Sequence, residues 1–155
     1  MKRLSVIIAP ASLVVIDIDH FKRINDELGH DAGDRVLKAL VLLIKNRSRR
    51  LDRLFRMGGE EFVLLLPDTP GTAAMIQAEN LRNRIADAGL LKNRAVTVSM
   101  GVAECGHELT QESWLKAADT ELYQAKEVGR NRVVRAATSE PAAEPAGTER
   151  RVRQG

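Results

Sequence analysis

The apolar residues of this chain change period several times, and each change predicts an element. Leu13-Val14-Val15-Ile16 is a continuous apolar run of strand length, stopped by the acidic Asp17-Ile18-Asp19. Phe21 to Leu28 then carries the spacing of a short helix, with Gly29 placed as a left-handed cap. Asp31 can open a second helix, whose Val36, Leu37, Leu40, Val41 and Ile44 share one face. Leu54-Phe55-Arg56 and Phe62 to Leu66 read as short strands on either side of Gly58-Gly59-Glu60-Glu61, which is the spacing of a hairpin. Pro70 suits the first turn of a third helix with Ala74, Ala78, Leu81 and Ile85 on its inner face. Val96-Thr97-Val98-Ser99 reads as the next strand, and Val133-Val134 as the last. Between them, Trp114, Leu115, Ala118, Leu122 and Ala125 trace a fourth helix, ended by Gly129. The order βααββαβαβ has no internal repeat. It predicts an α/β fold: a single mixed β-sheet flanked by helices.

Periodicity stops near residue 136. The stretch 137–155 holds two prolines, no aromatic residue and balanced charge, so a disordered tail is expected there. Residues 1–12 read as a short lead and 13–136 as one domain. Met1-Lys2-Arg3 and the apolar residues after it faintly resemble a signal peptide, but Pro10 interrupts the run. At 155 residues, with 44% apolar and 29% charged content, the chain suits one globular domain rather than two. A single cysteine, Cys105, leaves no internal disulfide framework and suits a reducing, cytoplasmic setting. No apolar run approaches the ~18 residues of a membrane span, so no direct membrane contact is expected. One Trp, one Tyr and three Phe offer little for stacking bases, which argues against a nucleic-acid partner. The net charge of +3 fits a small phosphate-bearing ligand without demanding a polyanion.

The acidic residues carry the chemistry. Asp17 ends an apolar strand, where a carboxylate has no packing role, and Glu60 and Glu61 follow two glycines in a tight turn. If the first strand neighbours the hairpin, the three carboxylates converge at one edge of the sheet and repel unless a cation sits between them. Hard oxygen ligands without His or Cys favour Mg²⁺ or Mn²⁺, whose usual companions are substrate phosphates. Gly58 and Gly59 would let backbone N–H groups approach those phosphates. On the residues alone, a solvated acidic turn stands beside this metal-site reading.

Arg56-Met57-Gly58-Gly59-Glu60-Glu61-Phe62 resembles the signature of the GGDEF-domain diguanylate cyclases in its GGEEF form. The pentapeptide would arise by chance in roughly one chain of this length in 10⁴. The likeness extends, in order and at family spacing, through Asp17 to Asp26, Gly29 to Asp34, Val96 to Ala103, Ala118 to Lys126, and Gly129-Arg130-Asn131. It covers about Leu13 to Val134, and implies the fold of nucleotidyl-cyclase and polymerase palm domains.

The resemblance implies that two GTP molecules condense to cyclic di-GMP with release of two pyrophosphates. It implies that Asp17, the Ile18 carbonyl, Glu60 and Glu61 hold Mg²⁺ or Mn²⁺, with Glu60 also the candidate base for the attacking 3′-hydroxyl. Asn25 and Asp34 match the positions that read guanine, where a carboxylate can accept from both N1–H and the exocyclic amine. On residue type alone, Asp34 could simply cap the second helix at its third position and Asn25 be a surface residue near a helix end. Lys22, Lys126 and Arg130 match contacts to the triphosphate, although cations near a helix C-terminus are favoured without any ligand. Gly58 and Gly59 complete the substrate set.

Arg49 and Asp52, at fixed distance before Gly58, resemble the family's RxxD product-inhibition site, which grips cyclic di-GMP. A surface Arg–Asp pair is the plain alternative. Asn80 stands where the family often supplies another arginine, with Arg82 and Arg84 the candidates to compensate. Family domains usually open with a DxLTxLxNR stretch well before the first strand. Only twelve residues precede Leu13 here, which implies either a truncated start or a free-standing, weaker cyclase. Because each domain binds one GTP, the resemblance implies a homodimer for catalysis. The alternative is a catalytically weak or inactive module that binds cyclic di-GMP or GTP.

Overall fold

The computed structural model describes residues 9–106 and 110–137. The expected lead and tail lie mostly outside them. Five strands and four helices follow in the predicted order: β1 (Ser12–Ile18), α1 (Phe21–Leu28), α2 (His30–Arg47), β2 (Arg53–Gly58), β3 (Glu61–Leu66), α3 (Gly71–Asp87), β4 (Val98–Glu104), α4 (Gln111–Glu127) and β5 (Val133–Arg135). They build one sheet of order β2-β3-β1-β4-β5. β1 is central, antiparallel to β3 on one side and to β4 on the other, while β5 joins β4 in parallel.

Alternation along β1 assigns the two faces. Val14, Ile16 and Ile18 meet Phe62, Leu64, Leu66, Met100 and Val102 in the larger core, which α1, α2 and α3 cover. Leu13 and Val15 join Val63, Ala103, Ala118 and Leu122 beneath α4. α4 can lie close because β4 carries Gly101 at the crossing: a Cβ there would stand 2.1 Å from the Ala118 carbonyl oxygen and 2.4 Å from the Leu122 nitrogen. The Trp114 indole N–H donates to the Ala103 carbonyl at 2.8 Å and fixes the other end of the helix. Thr110 caps it, accepting from the Ser113 N–H at 3.1 Å.

Four boundaries differ from the sequence expectation. β4 runs from Val98 rather than spanning Val96 to Ser99, because Gly101 interrupts the apolar pattern of a strand buried on both faces. α2 starts at His30, so Asp31 lies in its first turn and makes no capping hydrogen bond; Gly29 is its N-cap. Gly29 has φ 87° and ψ 162°, a positive φ with extended ψ, and serves as the hinge between α1 and α2 rather than as an αL cap. Pro70 is the N-cap of α3, not its first helical residue, and the Glu104 carboxylate accepts from Gly71 N–H at 3.2 Å. Among the described residues, no helix is long and apolar enough to cross a membrane.

Candidate active site

Register sets the site. Asp17 lies opposite Glu61 on β3 and Ser99 on β4, so these side chains share the face of the sheet that α4 covers. Asp17 is 6% exposed. Lys126, in the last turn of α4, brings its Nζ to 2.5 Å from Asp17 Oδ2. Burial still holds the Asp17 carboxyl above its ordinary pKa; the Lys126 hydrogen bond and charge pull it down, and Glu60 and Asp19 add to the rise. Glu61 is raised as well, first by burial and then by Asp119, which projects from α4 beside it.

The hairpin turn brings Glu60 over the end of β1, where the Glu60 carbonyl accepts from Ile18 N–H at 3.4 Å. Ile18 itself turns its side chain into the larger core. A bulge between Arg56 and Gly58 breaks the β2–β3 register, and Gly58 and Gly59 take φ of 148° and 51°. The Arg56 guanidinium clamps this turn, donating to the Gly59 carbonyl through Nε at 3.1 Å and Nη2 at 2.8 Å.

Lys22 and Asp34 are exposed on α1 and α2, while Asn25 is half-buried between the two helices. Gly33 makes the room for Asn25: a Cβ at Gly33 would lie 1.9 Å from Asn25 Oδ1. Arg130 has φ 63° in the turn after α4, and among the described residues its guanidinium makes no hydrogen bond.

Arg49 and Asp52 lie elsewhere, between α2 and β2. They are not an Arg–Asp surface pair. Asp52 is buried, and its carboxylate accepts from the Arg49 backbone N–H at 2.8 Å and from Gln77 Nε2 at 3.3 Å. That leaves the Arg49 guanidinium to line a cleft of about 940 Å³ with Arg47, Gln77, Asn80 and Arg84. Gln77 Oε1 is buried and has no hydrogen-bond partner among the described residues. Arg82 turns away from the cleft to pair with Glu79 and Asn131.

The structure therefore brings together Asp17, Glu61 and Lys126, with Glu60 close enough to raise the Asp17 pKa. Among the described residues, no three acidic, histidine or cysteine side chains are close enough to enclose an ion. The donor set nevertheless fits a hard divalent cation. Its oxygens are carboxylates, and two of them sit where burial and like charge make ionisation costly, which a cation would relieve. The sequence reading missed Asp119 and Arg56 as parts of this site. Asp119 stands seven residues before Lys126, two turns along one helix face, which is the signal that could have found it.

A family model described as "Diguanylate cyclase, GGDEF domain" matches residues 3–132. This chain belongs to that family. Diguanylate cyclase DgcM of Escherichia coli is 46% identical over 125 residues, which are 81% of this chain and 30% of that protein. The chain thus spans less than a third of the length of that relative. The active GGEEF domain of a diguanylate cyclase from Vibrio cholerae superposes with a TM-score of 0.79 at 36% identity, covering 84% of this chain and 85% of that one. The GGDEF domain of DgcB from Caulobacter crescentus, solved in complex with c-di-GMP, has a TM-score of 0.76 at 33% identity, over 82% of this chain and 78% of that one. The GGDEF signature here is the Arg56 to Phe62 segment, and the sheet is the one whose central strand carries Asp17 one residue before its end.

Proposed function

We propose that this domain is a diguanylate cyclase that condenses two GTP to cyclic di-GMP and two pyrophosphates. The observation that carries the reading is the buried Asp17, paired across strands with Glu61 and flanked by the Gly58–Glu60 turn. In each half-reaction the 3′-oxygen of one GTP bonds to the α-phosphorus of the other, the bond to pyrophosphate breaks, and the hydroxyl proton leaves with a base. Positioning and charge neutralisation supply most of the acceleration in such transfers.

Asp17, the Ile18 carbonyl, Glu60 and Glu61 would hold Mg²⁺ or Mn²⁺, which when bound polarises the phosphate and lowers the pKa of the attacking hydroxyl. Glu60 would accept that proton. Lys22, Lys126 and Arg130 neutralise the triphosphate, and the backbone N–H groups of Gly58 and Gly59 bind its oxygens. Lys126 meanwhile balances Asp17 when no substrate is present. Asn25 and Asp34 read the guanine edge. If Asn25 does so, Gly33→Ala should raise KM for GTP about tenfold, since the new Cβ forces the amide out of place. An unchanged KM in steady-state assays would remove Asn25 from the guanine site.

One domain holds one GTP, so two copies must face each other, and the rate should rise faster than linearly with protein concentration. Purified protein with Mg²⁺ and GTP, its products separated by chromatography over a wide concentration range, tests this directly. Cyclic di-GMP growing as about the square of protein concentration at the dilute end is expected for a dimerising enzyme. No product at any concentration, together with measurable cyclic di-GMP binding, would replace the enzyme with a binding module. The cleft of Arg47, Arg49 and Arg84 suits the product's phosphates, while the buried Asp52 holds the Arg49 backbone beside it.

A further inference from the structure

Asp19 follows Asp17 by two residues, and an acidic residue at that spacing reads as a second ligand for the same cation. Its surroundings are different. Asp19 is 6% exposed, and both carboxylate oxygens are already occupied. Oδ1 accepts from Ser99 Oγ at 2.6 Å, while Oδ2 accepts from Thr97 Oγ1 at 2.7 Å and from the Asn131 backbone N–H at 3.0 Å. The donors come from segments about 80 and 110 residues further along the chain, so one carboxylate joins the end of β1 to β4 and to the turn after α4.

That turn needs holding. Gly129, Arg130 and Asn131 have φ of 125°, 63° and 44°, three positive values in a row with two on residues that carry a Cβ. Such a run persists only where its surroundings over-determine it. Here Arg130 N–H donates to the Ala125 carbonyl at 2.9 Å, and Arg132 Nε donates to the Arg130 carbonyl at 3.0 Å. Asn131 is gripped from two sides. Its N–H goes to Asp19, and its Oδ1 accepts from Arg82 Nη1 at 2.8 Å.

We infer that Asp19 is a positioning residue: with Arg82 it locks the left-handed Gly129–Asn131 turn, so that Arg130 is presented to the triphosphate in one fixed orientation. The inference rests on the reading of Arg130 as a phosphate contact. It assigns Asp19 to the placement of that arginine rather than to the metal, and gives Arg82 a role outside the product cleft.

Calorimetric titration of GTP with Mg²⁺ into the protein, alongside thermal melts, tests it through a double-mutant cycle. Arg130→Ala should weaken GTP binding about tenfold or more, the usual scale for a lost charge-assisted contact. Asp19→Ala should weaken it nearly as much, and the double variant should bind no worse than Arg130→Ala alone. Asp19→Asn should restore affinity to within about threefold, because its Oδ1 can serve Thr97 and Asn131 while its amide donates to the rotatable Ser99 hydroxyl. A purely structural Asp19 would lower the melting temperature yet leave GTP affinity unchanged, or would multiply the loss in the double variant. Either result overturns the inference. If Arg130→Ala itself binds GTP normally, the phosphate reading of Arg130 is what fails, and this inference falls with it. Should Asp19→Ala not fold, Arg82→Met removes only the other half of the clamp and spares the buried carboxylate, and the same non-additivity with Arg130→Ala is expected.

Discussion

Asp17→Asn is expected to cut cyclic di-GMP formation by at least about a thousandfold while raising the melting temperature of the ligand-free domain at neutral pH. The two effects share one cause. Asp17 is buried on the central strand, and its carboxyl is held above its ordinary pKa of 3.8 despite the Lys126 ammonium. A carboxyl harder to ionise in the folded state than in the unfolded one favours folding most when protonated. Its contribution is full below the unfolded pKa and is lost as pH rises through the raised folded value, so at pH 7 the charged group opposes folding. Glu61 is displaced in the same direction and adds to the trend. The amide removes that opposition, and Lys126, about one-third exposed, can be solvated by water. Melts of both proteins between pH 4 and pH 8 check it: the variant's advantage should widen as pH rises. A variant less stable throughout would mean that the Lys126 pair outweighs burial.

Gly101→Ala should be the most damaging single methyl in the domain. The added carbon would meet the Ala118 oxygen at 2.1 Å and the Leu122 nitrogen at 2.4 Å, both backbone atoms of α4 that cannot rotate aside. Overpacking usually costs 1–3 kcal/mol. With helix backbone as the obstacle, about 3 kcal/mol or more is expected, and a fall in melting temperature on the order of 10 °C. Activity should fall further than the folded fraction, because lifting α4 withdraws Lys126 and Asp119 from Asp17 and Glu61. Comparing kcat with the folded fraction by circular dichroism separates the two losses. A variant with wild-type stability would place α4 further from β4 than this packing allows.

Much of this architecture is legible in the sequence because each element changes the period of its apolar residues. Val36, Leu37, Leu40 and Ile44 are buried together as their spacing implies, and the Gly58–Glu61 segment does form the hairpin turn. The start of β4 was misplaced because a strand buried on both faces and broken by a glycine lacks alternation. The pairing of Lys126 with Asp17 across 109 residues was not legible, because nothing local to α4 marks which strand it will cross. Which of Arg82 and Arg84 faces the cleft is legible in the spacing. Gln77, Asn80 and Arg84 recur at helical spacing and share the cleft face, whereas Arg82 falls with Glu79 on another. The role of Asp19 is not legible either, because its donors on Thr97, Ser99 and Asn131 lie far along the chain.

The central position of β1 has a consequence for how such a chain can change. Its two neighbours hold it residue by residue from Ser12 to Asp17, and side chains alternate between faces at every step. Deleting or adding one residue before Asp17 would turn the carboxylate inward against Ile24 and Leu40 and push an isoleucine toward Lys126. No repacking of side chains repairs that inversion. Variation in length is therefore barred from this strand and from its two partners, and is left to stretches such as residues 88–95 after α3, ahead of the Thr97 that holds Asp19.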